Sequence, residues 1–178
     1  TQRLRTVLRG HLGSDGGLEL VYDVCHNIAK VEDHNVHGKS CKCCVHRKGA
    51  TRALGGDHSE LAARFSAVGQ PVLVPGDMGT ASWVLAGPKE GGNDAFSSSC
   101  HGAGRRLSRT AARKLIDSDE LRARLEASGI HVRAKTPNVL AEEAPDAYKD
   151  VDEVIRLSAS ANLARPVARL RPFAVIKG

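Results

Sequence analysis

Apolar residues along the chain fall into short runs with two different spacings, and the spacings predict the elements. From Leu18 to Val24 the run Leu-Glu-Leu-Val-Tyr-Asp-Val is β-branched and partly alternating, which predicts a strand, with Gly13 to Gly17 as a turn before it. Ile28 to Val31 continues that strand. After a polar stretch with Gly38, Cys43 to His46 reads as the return arm of a hairpin. Gly55 and Gly56 mark a loop. Leu61, Ala62, Phe65 and Val68 then recur at helical spacing behind Ser59, predicting a short helix over Ser59 to Ala67.

Pro71 to Val74 and Ala81 to Ala86 predict two strands around the turn Pro75-Gly76-Asp77-Met78-Gly79. That turn is either a simple tight reversal or a loop whose amides face a ligand. Past a loop at Gly91 to Asp94, the segment Ser97 to Gly104 leads into a helix expected over Arg105 to Ile116. Asp117 as cap, Glu120 three residues on and Gly129 as stop bracket a second helix, and Ile130 to Ala134 should be a strand. Pro145 and the acidic residues before it mark a loop. Asp150 opens a third helix to about Ala161, ended by Pro166, and Val167 to Ile176 is strand-like. Helices and strands mix without regular β-α alternation, so the fold class is α+β, an irregular mixed sheet with flanking helices.

At 178 residues the chain fits one domain, and with 3% aromatic content its core must come from Val, Leu, Ile and Ala. The net charge of +6, with Arg outnumbering Lys, admits polyanionic partners, although the same charge also serves solubility. Five cysteines, three crowded at Cys41, Cys43 and Cys44, lack the even spread of a secreted disulfide framework and point to a reducing cytoplasm. No run approaches the roughly 18 apolar residues that span a bilayer. The start at Thr1 rather than Met raises the expectation of a processed or truncated beginning.

The densest chemistry lies in Ser97-Ser98-Ser99-Cys100-His101-Gly102-Ala103-Gly104-Arg105, followed by Ser108 and Arg109. Small residues after His101 would leave amides open at the expected helix start, with Arg105 and Arg109 one turn apart, so a phosphate could sit beside the imidazole. His101 is then either a satisfied loop histidine or a nucleophile that attacks phosphorus through a neutral ring nitrogen. His26, beside Asn27 at a strand end, could donate to a metal, which needs further donors from elsewhere. Val45 to Arg52 carries Arg47, Lys48 and Arg52, either a solvated basic turn or a contact for RNA phosphates. Zinc at Cys41 to His46 lacks a second half-site, and reducible surface thiols are the other reading.

Six ordered segments resemble the carboxy-terminal region of the RtcB family of RNA 3′-phosphate ligases. They are Asp23-Val-Cys-His-Asn-Ile-Ala-Lys-Val-Glu32, Val45-His-Arg-Lys-Gly-Ala-Thr-Arg52, Gly69 through the Pro-Gly-Asp-Met turn to Ser82, Cys100-His-Gly-Ala-Gly-Arg105, Leu140 to Pro145 with Ala147 to Asp152, and Val167-Ala-Arg-Leu-Arg-Pro172. The resemblance implies that His101 becomes guanylylated by GTP and passes GMP to an RNA 3′-phosphate. A 5′-hydroxyl end then displaces GMP, 2′,3′-cyclic phosphate ends being opened first, with Mn2+ stabilising the transferring groups. By the same likeness His26 is a manganese ligand and Asn27 lies near the nucleotide. Pro75, Gly76, Asp77, Met78 and Ser82 fall on the guanylate-binding loop, Gly102, Ala103 and Gly104 on a phosphate cradle, and Tyr148 and Lys177 at the guanine pocket. Arg105 and Arg109 match arginines that hold RNA phosphate. The implied partners are RNA, as tRNA halves or broken RNA, and archease.

Two departures stand out: Gly55-Gly56-Asp57-His58 replaces a Pro-Pro-Gly-His-like turn, and the Cys41 to Cys44 cluster is atypical. The resemblance covers residues 1–178 but only the latter part of a family member, whose upstream half supplies an Asp, a Cys and further histidines to the metals. The expectation is a carboxy-terminal part of the RtcB catalytic domain, feeble or inactive in isolation, whose amino-terminal half is absent. The alternative is a catalytically incomplete fragment that binds nucleotide or RNA. The Thr1 start favours the fragment.

Overall fold

The computed structural model describes residues 2–12, 19–89 and 91–177. Helix α1 (Gln2–Leu12) is followed by strands β1 (Asn27–Val36) and β2 (Lys39–Lys48), an antiparallel hairpin in register from Asn27 opposite Lys48 to Val36 opposite Lys39. His37 and Gly38 close it, both at positive φ, as the twist of a two-residue hairpin turn requires. Strand β3 (Ala50–Arg52) continues from β2. Strands β4 (Pro71–Val74) and β5 (Ser82–Ala86) form the expected antiparallel pair around the Pro75 turn. Strand β6 (Ser98–Cys100) pairs with β3 and delivers the chain to His101.

Helices α2 (Arg109–Leu115) and α3 (Ser118–Ala127), strand β7 (His131–Ala134) and helices α4 (Pro137–Glu142) and α5 (Val151–Ser160) follow. Local chemistry sets the helix starts. Asp117 accepts the amides of Asp119 and Glu120, Thr136 that of Val139 and Asp150 that of Asp152, each satisfying an otherwise orphaned donor. Strand β8 (Arg165–Leu170) joins β5 to make a three-stranded antiparallel sheet, and β9 (Ala174–Lys177) pairs in parallel with β7. The architecture is α+β, built of small sheets with flanking helices.

Two apolar clusters form the core. One gathers Ala53, Val72, Val74, Leu85, Ala103, Val151 and Ile155 under the β4-β5-β8 sheet, and the other gathers Met78, Leu121, Leu125, Val132 and Leu140 around α3, α4 and β7. Aliphatic and alanine side chains dominate both, as the low aromatic content required.

Several expectations are corrected. Residues 19–25 make no strand ladder, because alternation cannot become a strand without an edge to pair with, and Leu20 and Val21 stay exposed. Leu18 and the Gly13 to Gly17 turn lie outside the described residues. The helix expected over Ser59 to Ala67 is only a 3-10 turn at Ala63–Phe65, too short a periodic stretch to offset helix nucleation. The helix expected from Arg105 begins at Arg109, where the Ser108 hydroxyl accepts the Ala111 amide, while Gly104 upstream sits at φ 78. Pro166 does not end a helix. It lies in β8 at a register shift on the sheet edge, where a missing N–H is tolerated. The strand expected over Val167 to Ile176 divides into β8 and β9 around Arg171-Pro172-Phe173. Helices α1 and α4 were not expected.

Candidate active site

His26, the residue before β1, and His101, the residue after β6, meet as stacked rings with centroids 4.0 Å apart and planes 17° from parallel. Burial, and secondarily the charge of His26, lowers the pKa of His101 below the ordinary imidazole value. Both rings line a cavity of about 410 Å³ whose walls are largely apolar, with Leu73, Pro75, Ser82, Trp83 and Leu170 among them. The chain's single tryptophan, Trp83, was not singled out in sequence, although a lone large aromatic in an aliphatic chain is a usable signal. Its indole donates to Asp152 (2.7 Å), which also accepts from Nε and Nη2 of Arg169.

Of the expected guanylate loop, Pro75 and Ser82 face this cavity. The amide of Gly76 donates to the Ser82 hydroxyl (3.4 Å), and a side chain at Gly76 would collide with the Ala81 carbonyl at 1.9 Å, so only glycine fits. Asp77 turns onto its own loop, accepting the Gly79 and Thr80 amides and the Thr80 hydroxyl. The Met78 side chain belongs to the second core cluster, which leaves only its backbone for a ligand.

The cradle after His101 is not a helix amino terminus, which corrects the dipole argument, since α2 starts at Arg109. The Ala103 amide donates to the Pro75 carbonyl (3.3 Å), and the Gly104 carbonyl accepts the Lys149 amide. A side chain at Gly102 would meet only that Pro75 carbonyl, at van der Waals range. These contacts tie the segment after His101 to the Pro75 turn and to the residue after Tyr148.

Arg105 and Arg109 do not share a helical face. Arg105 pairs with Tyr148 in an isolated bridge, stacks over its ring at 4.7 Å and donates to its hydroxyl (2.8 Å) and to the Leu107 and Glu142 carbonyls. Arg109 is exposed, with Glu142 at 3.7 Å. Tyr148 and Lys177 do come together, on a group missed in sequence, Glu143. The Tyr148 hydroxyl donates to it at 2.7 Å, and the Lys177 and Arg105 cations each lie 3.5 Å from it. Burial is the largest influence on Glu143 and acts upward, yet the Tyr148 hydrogen bond and the two cations outweigh it and its pKa falls. Burial, then the Glu143 contact, pushes Tyr148 up to about 12. Glu143 lay inside the Leu140 to Pro145 segment of the family likeness but was read individually only as part of an acidic loop.

Arg47 requires a correction. It is buried, 2% exposed, with its fork on both oxygens of Glu32 (2.9 and 2.7 Å), and so is not available to an RNA phosphate. Arg52 is engaged by Glu60 (2.7 Å) and lies 3.9 Å from Glu32, while Lys48 is exposed on β2 opposite Asn27. Cys44 and His46 are exposed neighbours, 3.5 Å apart. Among the described residues no three His, Cys, Asp or Glu side chains converge on a metal position. Stacked plates do not aim their in-plane lone pairs at one point, so the residues present do not make a manganese site, and His26 fits only as one donor of a larger set.

A partly desolvated imidazole beside a second one, with an apolar cavity at its face, is an arrangement that can present a neutral ring nitrogen to a bound group. The family model for the tRNA-splicing ligase RtcB matches residues 1–178, and the chain belongs to that family. A tRNA-splicing ligase RtcB of Pyrococcus furiosus is 51% identical over 177 residues, 99% of this chain and 18% of the relative. One from Thermococcus kodakarensis is 54% identical over 164 residues, 92% of this chain and 34% of the relative. An RNA-splicing ligase RtcB of Mycobacterium tuberculosis is 52% identical over 178 residues, all of this chain and 40% of the relative. The chain therefore spans well under half the length of these relatives. No described helix is long and apolar enough to cross a membrane.

Proposed function

We propose that this chain is the part of a GTP-dependent RNA ligase that carries the nucleophile, His101. The observation behind this reading is its contact with His26: burial and that neighbour favour the neutral ring, whose free lone pair is the form that attacks phosphorus. A ring nitrogen of His101 bonds to the α-phosphorus of GTP as the bond to the β-phosphate bridge breaks and pyrophosphate leaves with the electron pair. An RNA 3′-phosphate oxygen then takes the guanylyl group, and the N–P bond pair returns to the imidazole. The 5′-hydroxyl of the second end attacks the activated 3′-phosphorus, gives up its proton, and GMP departs.

In this reading Pro75, Ser82 and the backbone of Gly76, Asp77 and Met78 hold guanylate, with Asn27 near the nucleotide and the Gly102-Ala103-Gly104 segment at its phosphate. Tyr148 and Lys177, poised on Glu143, meet the guanine, while Arg105, Arg109, Lys48 and Arg52 meet RNA. Metal donors beyond those that the described residues bring together would come from the segment that the longer relatives carry, so no step is assigned to a metal here.

The test supplies the chain with the complementary segment of the Mycobacterium tuberculosis relative, α-labelled GTP and Mn2+. An acid-labile protein-bound label, absent in His101→Ala, is the expected result. Label retained in His101→Ala, or never formed by the wild type, rejects the assignment.

A further inference from the structure

Two non-glycine residues in succession, Phe96 and Ser97, adopt left-handed backbone (φ 53 and 49) immediately before β6, the strand that ends at His101. Side chains rarely tolerate that conformation, so something must hold it. Asn93 holds one side: its carbonyl oxygen accepts the Ala95 and Ser98 amides, and its amide donates to the Ser98 carbonyl. Arg47 holds the other. Its guanidinium donates to the Phe96 carbonyl (2.9 Å) and the Ser98 hydroxyl (2.9 Å) with the donors left over from Glu32.

Both members of that pair belong to the hairpin rooted at His26. Glu32 is on β1, which starts one residue after His26, and Arg47 is near the end of β2, opposite Ile28. One side of the network is thus anchored beside each histidine. A charge pair this buried, with side chains 1% and 8% exposed, is a poor source of net stability and is better suited to fixing one arrangement. Only a planar fork can serve a carboxylate edge and two further acceptors together.

We infer that Arg47, oriented by Glu32, is a positioning residue that locks the left-handed turn before β6 to the hairpin and so sets the His101 ring against the His26 ring. The inference depends on the proposed function for its rate effect and not for its structural effect.

The structural readout is the ring-to-ring nuclear Overhauser contact between His26 and His101 in the free chain. The kinetic readout is labelling by GTP in the complemented protein. Arg47→Lys and Glu32→Gln should lose the ring contact, and labelling should slow by about ten- to a hundred-fold, the scale for misplacing a reacting group by about 1 Å, at unchanged half-saturating GTP. Asp117→Ala, which only removes the cap of α3, should keep the ring contact and the labelling rate. Rings still in contact in both variants, or a rate loss matched by Asp117→Ala, overturns the inference. Should Arg47→Lys fail to fold, Ser98→Ala removes a single acceptor and must still weaken the ring contact, and an unchanged contact there overturns it too. A wild type that shows the ring contact but takes no label defeats the ligase reading alone.

Discussion

The ring of His26 lies flat against that of His101, at 4.0 Å between centroids, although the two residues flank strands of different sheets and lie far apart in the chain. Replacing His26 by Ala removes both the covering plate and the charge that help to depress the pKa of His101. We expect the His101 titration in His26→Ala, followed by histidine C–H resonances, to move up toward the ordinary imidazole value. A His101 curve unmoved by the change would show that His26 has no influence on it.

Glu32 sets an acid limit on stability. Burial acts most strongly and upward on its carboxyl, but hydrogen bonds from Arg47 and His34 and the charges of Arg47 and Arg52 outweigh it, holding the group at about 2 against an ordinary 4.5. Below its ordinary value the unfolded chain binds a proton that the folded one refuses. The contribution is therefore complete above about pH 4.5 and drains away as pH falls toward about 2. Urea midpoints across that window should fall more steeply for the wild type than for Glu32→Gln, and parallel curves would contradict the assignment.

Tyr148 should ionise last. With burial and Glu143 pushing its phenol up to about 12, an ultraviolet tyrosinate titration should keep a late component that vanishes in Tyr148→Phe. Disappearance of an early component instead would place Tyr148 in a wetter setting than the one described.

Leu140 is fully buried among Leu121, Leu125 and Met78. Leu140→Ala should cost about 2–5 kcal/mol by chemical denaturation, the range for a buried leucine truncated to alanine. Thr136→Ala, at the cap of the same helix, should cost about 0.5–2 kcal/mol. A Leu140→Ala loss no larger than the cap's would mean that this cluster is loosely packed.

Features fixed by a few neighbouring residues were legible in the sequence. Asp117 and Asp150 announce their helices because a cap needs only a carboxylate and the next turn's amides. The β4-β5 pair was readable from apolar runs flanking a Pro-Gly turn. Features that depend on a distant partner were not. Residues 19–25 alternate like a strand but find no edge, and Arg47 lies in a cationic run that looks solvated until Glu32 and Phe96 are brought to it. The approach of His26 to His101 has no local signature, and only the likeness to a known family joined the two in sequence. Glu143, where Tyr148, Lys177 and Arg105 meet, was hidden because an acidic run is normally a wet loop.

Among the described residues β7 finds its only strand partner in β9, through four parallel pairs from His131 opposite Ala174 to Ala134 opposite Lys177. A slip of one residue along that short ladder would flip every β9 side chain to the other side. The ammonium of Lys177 would swing away, leaving Glu143 to Tyr148 and Arg105 alone. Small changes in the Arg171-Pro172-Phe173 connection, remote from either histidine, would be felt first at the carboxylate that Tyr148, Lys177 and Arg105 share.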